Sequence, residues 1–495
     1  MSRPVVGFDF GTSTTLVASP NGIVPVGITS AWMPSVAGYD EGGAVHAGEA
    51  AVDLPGGRAI RSVKRWITED RPLVRLATPY GIEEYAADDL VVAILAEGVR
   101  RARAQGLDLT AVRLGCPAMW DGRQRRRLVE AANRAGLPVT AASLVDEPVA
   151  AGIAWLAGRK ASRLTGRGKA YRAVVFDMGG GTLDIAVLDV RGNDVAVLAA
   201  VGVPEAGDRL DRAIAEDLEF ALAAHGVDID AMQFPRRARN RLLYAAQETK
   251  VALTTEDEHD VVLPRKLFGI GSVPYTRNQL NASFSEQMDR AEVVVTAALR
   301  AARITEPGIA QAPADEVVDG VDVVVLSGGM SRIPYVAERL RDLFPAGTRI
   351  EPAAARPDEA VVIGLAQAAH YGRINRYRPA FDIVVEWDGG QESRAVYEAY
   401  TPLVLAGRIG RGGELCFTRT GREIGVPATG KGRLRIVSHT GDAVRATLGG
   451  GRVEDFVVEL CGERFAFSVF PDGRLRLADG SGVHDGRIVG WDTGR

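Results

Sequence analysis

The stretch Phe176-Asp177-Met178-Gly179-Gly180-Gly181-Thr182-Leu183-Asp184 decides how this chain is read. The apolar run Ala173-Val174-Val175-Phe176 leads into it, and Ile185-Ala186-Val187-Leu188 leads out. β-formers, a run of glycines and β-formers again predict a strand, a tight turn and a strand. Near the start, Phe8-Asp9-Phe10-Gly11-Thr12-Ser13-Thr14-Thr15 repeats the pattern between Val5-Val6-Gly7-Phe8 and Leu16-Val17-Ala18. Either segment by itself reads equally well as an ordinary hairpin turn. Two of them, each opened by an aspartate, predict facing hairpins that hold a nucleotide triphosphate from both sides. The pair also implies an internal duplication, inferred from the form of the motifs because the halves show no close identity.

The residue types suit that task. A phosphate chain needs close backbone approach and N–H donors, which glycine permits. Gly11, Gly179, Gly180 and Gly181 supply these, and Thr12, Ser13, Thr14 and Thr182 add hydroxyls. Carboxylates beside phosphates repel them unless a cation intervenes, so Asp9, Asp177 and Asp184 imply Mg²⁺ held partly through water. Glu147, in Val145-Asp146-Glu147-Pro148, stands at an expected strand-to-helix junction. It can face the cleft, but taken alone it reads as an acid favoured by a helix N-terminus. In Leu326-Ser327-Gly328-Gly329-Met330-Ser331-Arg332, two glycines let a flat ring lie against backbone and Arg332 can stack on it. Arg356-Pro357-Asp358-Glu359 follows, with a Pro-Asp pair that also caps a helix.

Composition bounds the alternatives. The chain has 495 residues, 46% apolar and 25% charged, with a net charge of -4, which fits a soluble protein rather than a nucleic-acid or membrane-surface binder. Arginine runs such as 123–127 and 236–239 read as solvated helix faces. Cys116, Cys416 and Cys461 form no metal or redox spacing, and with no signal-peptide pattern they point to the cytoplasm. Helices are expected at 88–106, 125–135, 148–156, 241–253, 287–303, 335–344 and 358–371, with strands such as 321–326 between them, so the class is α/β. After about residue 378 helical periodicity stops. Short alternating runs and dense glycines predict a compact all-β domain over 379–495, with Phe470-Pro471-Asp472-Gly473-Arg474 as a turn between two strands.

In this order, these elements closely resemble the ATPase domain of the actin-like superfamily, and within it the DnaK-type heat-shock chaperones, over roughly residues 3–375. Ser62-Val63-Lys64-Arg65-Trp66-Ile67 is similar to the segment bearing that family's catalytic lysine. The resemblance implies a duplicated ATPase domain over 1–378, with a peripheral subdomain at about 208–312. It implies ATP/ADP, Mg²⁺ and, beside the phosphates, K⁺ near Asp9, Asp184 and Asp358. It assigns Lys64 to the γ-phosphate, Glu147 and Thr182 to the hydrolytic water, Asp9 and Asp177 to hydrated Mg²⁺, and Asp184 to the charged cleft. Lys250 would reach the ribose or adenine, Gln247 and Thr254 would sit beside it, and Arg332 would stack on the base. Pro117 and Arg125 match the family's relay between domains. The partners implied are protein clients or one dedicated protein partner, with J-type and nucleotide-exchange co-chaperones, and neither nucleic acid nor membrane.

The departures are specific. Gln247 stands where the family has a glutamate, and Phe381-Asp382-Ile383-Val384-Val385-Glu386-Trp387 reads as a faint linker. No helical lid follows, so a clamp on an extended peptide would release quickly. The expected function is a slow ATP-hydrolysing switch that couples nucleotide state to client or partner binding. Three other readings stay open: an actin-like filament-forming ATPase, a nucleotide-gated scaffold with negligible hydrolysis, and a small-molecule kinase, for which no sugar-binding acid is evident.

Overall fold

A computed structural model describes residues 5–54, 58–78, 81–161, 170–404, 416–439, 444–489 and 491. Parts of the expected β domain, including 405–415 and 440–443, lie outside the described residues, as do residues 1–4.

Both glycine loops close antiparallel hairpins. Strand Val6–Phe10 pairs with Thr14–Ser19, and Ala170–Met178 pairs with Leu183–Arg191. In the first half, Leu144–Asp146 and Val112–Cys116 lie parallel beside Val6–Phe10, and Gly22–Val24 closes the far side. In the second half, Arg349–Pro352 and Val323–Ser327 lie parallel beside Ala170–Met178, and Asp194–Val203 lies beyond Leu183–Arg191 on the far side, inside one further edge strand. Counted along the chain within each half, the strand order is the same. That identity of topology supplies the duplication that residue identities hide.

A helix ends each half, Glu147–Ala161 in the first and Ala360–Gln367 in the second. These two helices cross in close contact. A Cβ on Gly364 would stand 1.7 Å from the Ala150 carbonyl oxygen, a distance no side chain tolerates. Glycine at 364 is therefore what lets the lobes approach. Between strands Asp194–Val203 and Val323–Ser327 the chain inserts helices Gly207–Ala224, Pro235–Ala252 and Arg277–Ala302 and a small hairpin. The helices expected from periodicity are all present, each within a few residues of its expected start or running longer.

The C-terminal segment is β-rich. A four-stranded sheet contains Phe381–Trp387 and Lys431–Ser438, and a six-stranded sheet contains Ala466–Val469 and Arg474–Asp479 joined by the expected turn. The reading of Phe381–Trp387 as a linker is corrected here. This segment is an inner strand, paired on one side with Glu392–Tyr397 and on the other with Lys431–Ser438. Phe381, Ile383, Val385 and Trp387 face the core while the residues between them do not, a period of two that only a sheet can bury. The chain that joins the two lobes to this domain instead begins with Gly372–Asn375, which adds a parallel strand to the outer edge of the second lobe's sheet. Past residue 380 the described α-helix is the four-residue Gly421–Ile424, too short for a lid. Among the described residues no helix is long and apolar enough to cross a membrane.

Candidate nucleotide site

The two loops meet tip to tip. A Cβ on Gly180 would come within 2.6 Å of the Ser13 Oγ, and one on Gly181 within 2.7 Å of the Thr12 Oγ1. Between the lobes lies a cavity of about 340 Å³. Its walls bring together most of the residues singled out from the sequence. Asp9, Gly11, Thr12, Ser13 and Thr14 come from the first loop, and Asp177, Gly179, Gly180 and Thr182 from the second. Lys64 and Glu147 close one end; Lys250, Thr254, Gly328, Gly329, Arg332 and Asp358 line the other.

Lys64 opens the short helix Lys64–Thr68 and is only 3% exposed. Its ammonium pairs with the carboxylate of Glu147, the first residue of the helix Glu147–Ala161. The rings of Phe10 and Trp120 lie within 6 Å, at 5.9 and 5.7 Å from the ammonium. Burial alone would lower the Lys64 pKa, but Glu147 and Asp9 outweigh it and hold the lysine charged. The acids respond in the opposite sense. Burial, with Glu147 adding repulsion, pushes Asp9 and Asp184 each up to about 7. The same causes carry Asp177 well above the usual carboxylate range. Three buried carboxyls, Glu147, Asp9 and Asp184, therefore act on one ammonium with Asp177 beside them, and this crowding of acids is what a cation would relieve. Among the described residues no cluster of three or more His, Cys, Asp or Glu is arranged as a direct metal cage. The donor set fits a cation held through water and phosphate oxygens rather than by protein alone.

Some expected residues stand off the cavity wall. Asp184 is 1% exposed, pairs in register with Asp177, and accepts from the Met119 backbone N–H at 3.3 Å. It acts from the layer behind. Gly181 lines a neighbouring pocket with Arg65, Asp208 and Arg209. Gln247 is turned to Asp211, which is 2% exposed and also holds the Lys250 ammonium at 2.6 Å. Asp211 is thus a site-supporting residue that the sequence reading missed; its place in Leu210-Asp211-Arg212 looks like any helix-face acid. Trp32, Met330, Ile333 and Val361 add an apolar wall near Arg332 that was also missed. Arg332 is about half exposed and its Nη1 lies 3.9 Å from Asp358, leaving the guanidinium plane open to a ring.

Pro117 and Arg125 lie outside the cavity. Pro117 is buried and its carbonyl accepts from the Trp120 N–H at 3.2 Å. Arg125 is buried in an ion pair with Asp146, the residue adjacent to Glu147. Its Nε donates to the Trp120 carbonyl at 3.1 Å, and its guanidinium lies 5.1 Å from the Tyr400 ring of the β domain. Arg125 therefore touches both the segment carrying Glu147 and the C-terminal domain.

Comparison with known proteins agrees with this geometry. The family described as Hsp70 protein matches residues 5–374. The chaperone protein DnaK of Thermotoga neapolitana is 30% identical over 385 residues, covering 74% of this chain and 59% of its own length. DnaK of Thermosipho melanesiensis is 28% identical over 420 residues, covering 81% of this chain and 63% of its own length. The dnaK1 chaperone of Parasynechococcus marenigrum is 29% identical over 400 residues, covering 74% and 56%. This chain spans about three fifths of the length of the curated relatives it matches.

Proposed function

The chain belongs to the Hsp70 family, and from that premise we propose that it is an ATP-binding, ATP-hydrolysing switch whose nucleotide state governs protein binding by its C-terminal β domain. The division of labour in this reading is 1–378 for nucleotide, with 208–312 as a peripheral subdomain, and 379–495 for a client or a dedicated protein partner. One observation carries the hydrolytic part: the buried Lys64–Glu147 pair and Thr182 line a single cavity together with both glycine loops.

In this arrangement the loop N–H groups and the hydroxyls of Thr12, Ser13 and Thr14 seat the phosphates. Lys64 meets the terminal phosphate and draws off its charge. Glu147, already aligned by Lys64, and the Thr182 hydroxyl orient the attacking water. Asp9 and Asp177 would hold Mg²⁺, which when bound neutralises phosphate oxygens. Positioning and charge neutralisation are the bulk of catalysis in phosphoryl transfer, and no covalent intermediate is needed. Arg332 and the apolar wall of Met330, Ile333 and Val361 take the base, and Lys250, steadied by Asp211, reaches the ribose or adenine.

The test is single-turnover hydrolysis alongside nucleotide binding. Thr182→Ala and Lys64→Ala are expected to lose hydrolysis while still binding ATP; wild-type turnover in both would sink the assignment. A sedimentation assay with ATP separates this reading from a filament-forming one, which requires polymer. For the partner, pull-down by the Thr182→Ala chain separates one stoichiometric protein from a mixture of unfolded clients.

A further inference from the structure

At the junction of the two lobes and the β domain lies a second cavity, of about 260 Å³. Arg113, Arg125 and Asp146 reach it from the first lobe, Tyr371 and Asn375 from the second, and Tyr400 from the β domain. Its charges do not balance. Asp146 supplies the carboxylate of this lining, and it is committed to Arg125. Beside that pair sits Arg378, only 3% exposed. Its Nη1 donates to the Trp120 carbonyl at 2.5 Å, the same oxygen that Arg125 uses, and its Nε has no partner. Burial and the Arg125 charge both press the Arg378 pKa down, and Asp146 offsets them only in part. On the cavity wall the Arg113 Nε is likewise buried and unpartnered, while its Nη1 donates to the Ala142 carbonyl at 3.1 Å.

The neighbouring acids of the β domain are spoken for. Asp382 holds His439 at 2.7 Å and the Ala399 N–H at 2.7 Å, and Glu398 holds Arg419 at 3.2 Å. A guanidinium does not discharge in a protein, so a buried excess of arginine is costly unless an anion joins it.

We propose that this cavity binds a small oxyanion of the size of inorganic phosphate, which is held by Arg113, offsets the buried Arg125–Arg378 pair, and fastens the β domain to both lobes. The chemistry matches: guanidinium groups present forked N–H donors to tetrahedral oxyanions, and the bonds are charge-assisted. The volume admits one such anion with water.

Calorimetric titration of the full-length chain with inorganic phosphate, at constant ionic strength set with chloride, tests this. The Thr182→Ala chain saturated with ATP and magnesium is the parent, so that phosphate seats in the nucleotide cleft are filled. The parent is expected to bind phosphate at one site, and Arg113→Gln to bind it about tenfold or more weakly. Arg113→Lys is expected to recover part of that loss. Unchanged ATP affinity in Arg113→Gln shows that the fold is intact, and Arg113 is the deciding position because it is less buried than Arg378. Equal phosphate affinity in Arg113→Gln and its parent, or no phosphate binding by the parent at millimolar concentration, overturns the proposal. Phosphate held in the nucleotide cleft would behave differently, being displaced by ATP and indifferent to Arg113→Gln; that outcome also overturns it, while leaving the ATPase reading standing.

Discussion

Replacing Lys64 by methionine removes the ammonium from beside Glu147, Asp9 and Asp184 while keeping an unbranched side chain one atom shorter. Two routes bound the cost to the nucleotide-free fold. With an effective dielectric of about 20 and a separation of about 3 Å, one ion pair is worth about 5 kcal/mol of Coulomb energy. The protein can escape part of that by protonating the stranded carboxyl. A loss of about 3 kcal/mol is therefore expected, in line with breaking a buried pair by removing one partner. The reasoning has a sharper consequence. Lys64→Met combined with Glu147→Gln deletes both charges, so the double variant should be more stable than Lys64→Met alone, with a coupling of about 2 kcal/mol. Urea unfolding of the full chain in EDTA, followed by tryptophan fluorescence, measures all four corners of the cycle; Trp120 beside Lys64 is a convenient reporter. If the two single losses simply add, the pair does not organise the site and the account given for Lys64 fails.

Gly364→Ala should prevent the lobes from packing, because the new methyl would sit 1.7 Å from the Ala150 carbonyl oxygen. The expected readout is loss of ATP binding together with protease sensitivity, and an alanine variant with native affinity would contradict the crossing of the two helices. In the β domain, Asp479 accepts from the backbone N–H groups of Glu459, Ser481 and Gly482 and from the Ser481 hydroxyl. Burial opposes its charge, but these bonds win and hold its pKa below the ordinary 3.8. The stability it contributes is present above pH 3.8 and disappears as pH falls through the lower folded value. Asp479→Asn should destabilise the β domain by about 1–3 kcal/mol at neutral pH and flatten the acid limb of its pH-dependent unfolding, measured by circular dichroism.

Local patterns account for what was legible beforehand. The glycine loops, the helices with apolar residues at helical spacing, and the strand pairs joined by a Pro-Asp-Gly turn all follow from interactions within a few residues of each other. The loop residues that line the cavity were legible for the same reason, since each loop carries its own glycines and hydroxyls. Asp211 and the apolar wall at Met330 and Val361 escaped notice because nothing local marks a helix-face acid or a buried methionine as part of a site. Phe381–Trp387 was misjudged although its alternation was visible, because whether a seven-residue apolar run is a linker or an inner strand depends on partners that lie far away in the chain.

The amino-acid order alone determined that two acidic glycine turns would form, and that Lys64, Glu147 and Thr182 would be present in a chain with the pattern of this family. Only the tertiary structure decided which charges meet. Lys64 and Glu147 neutralise each other because the fold of the first half brings together two residues 83 positions apart. Arg378 is buried beside the Arg125–Asp146 pair because the fold sets it on the Trp120 carbonyl, 258 positions away in the chain. Coulomb energy depends on distance and burial, and both are set by contacts between residues that the sequence keeps apart.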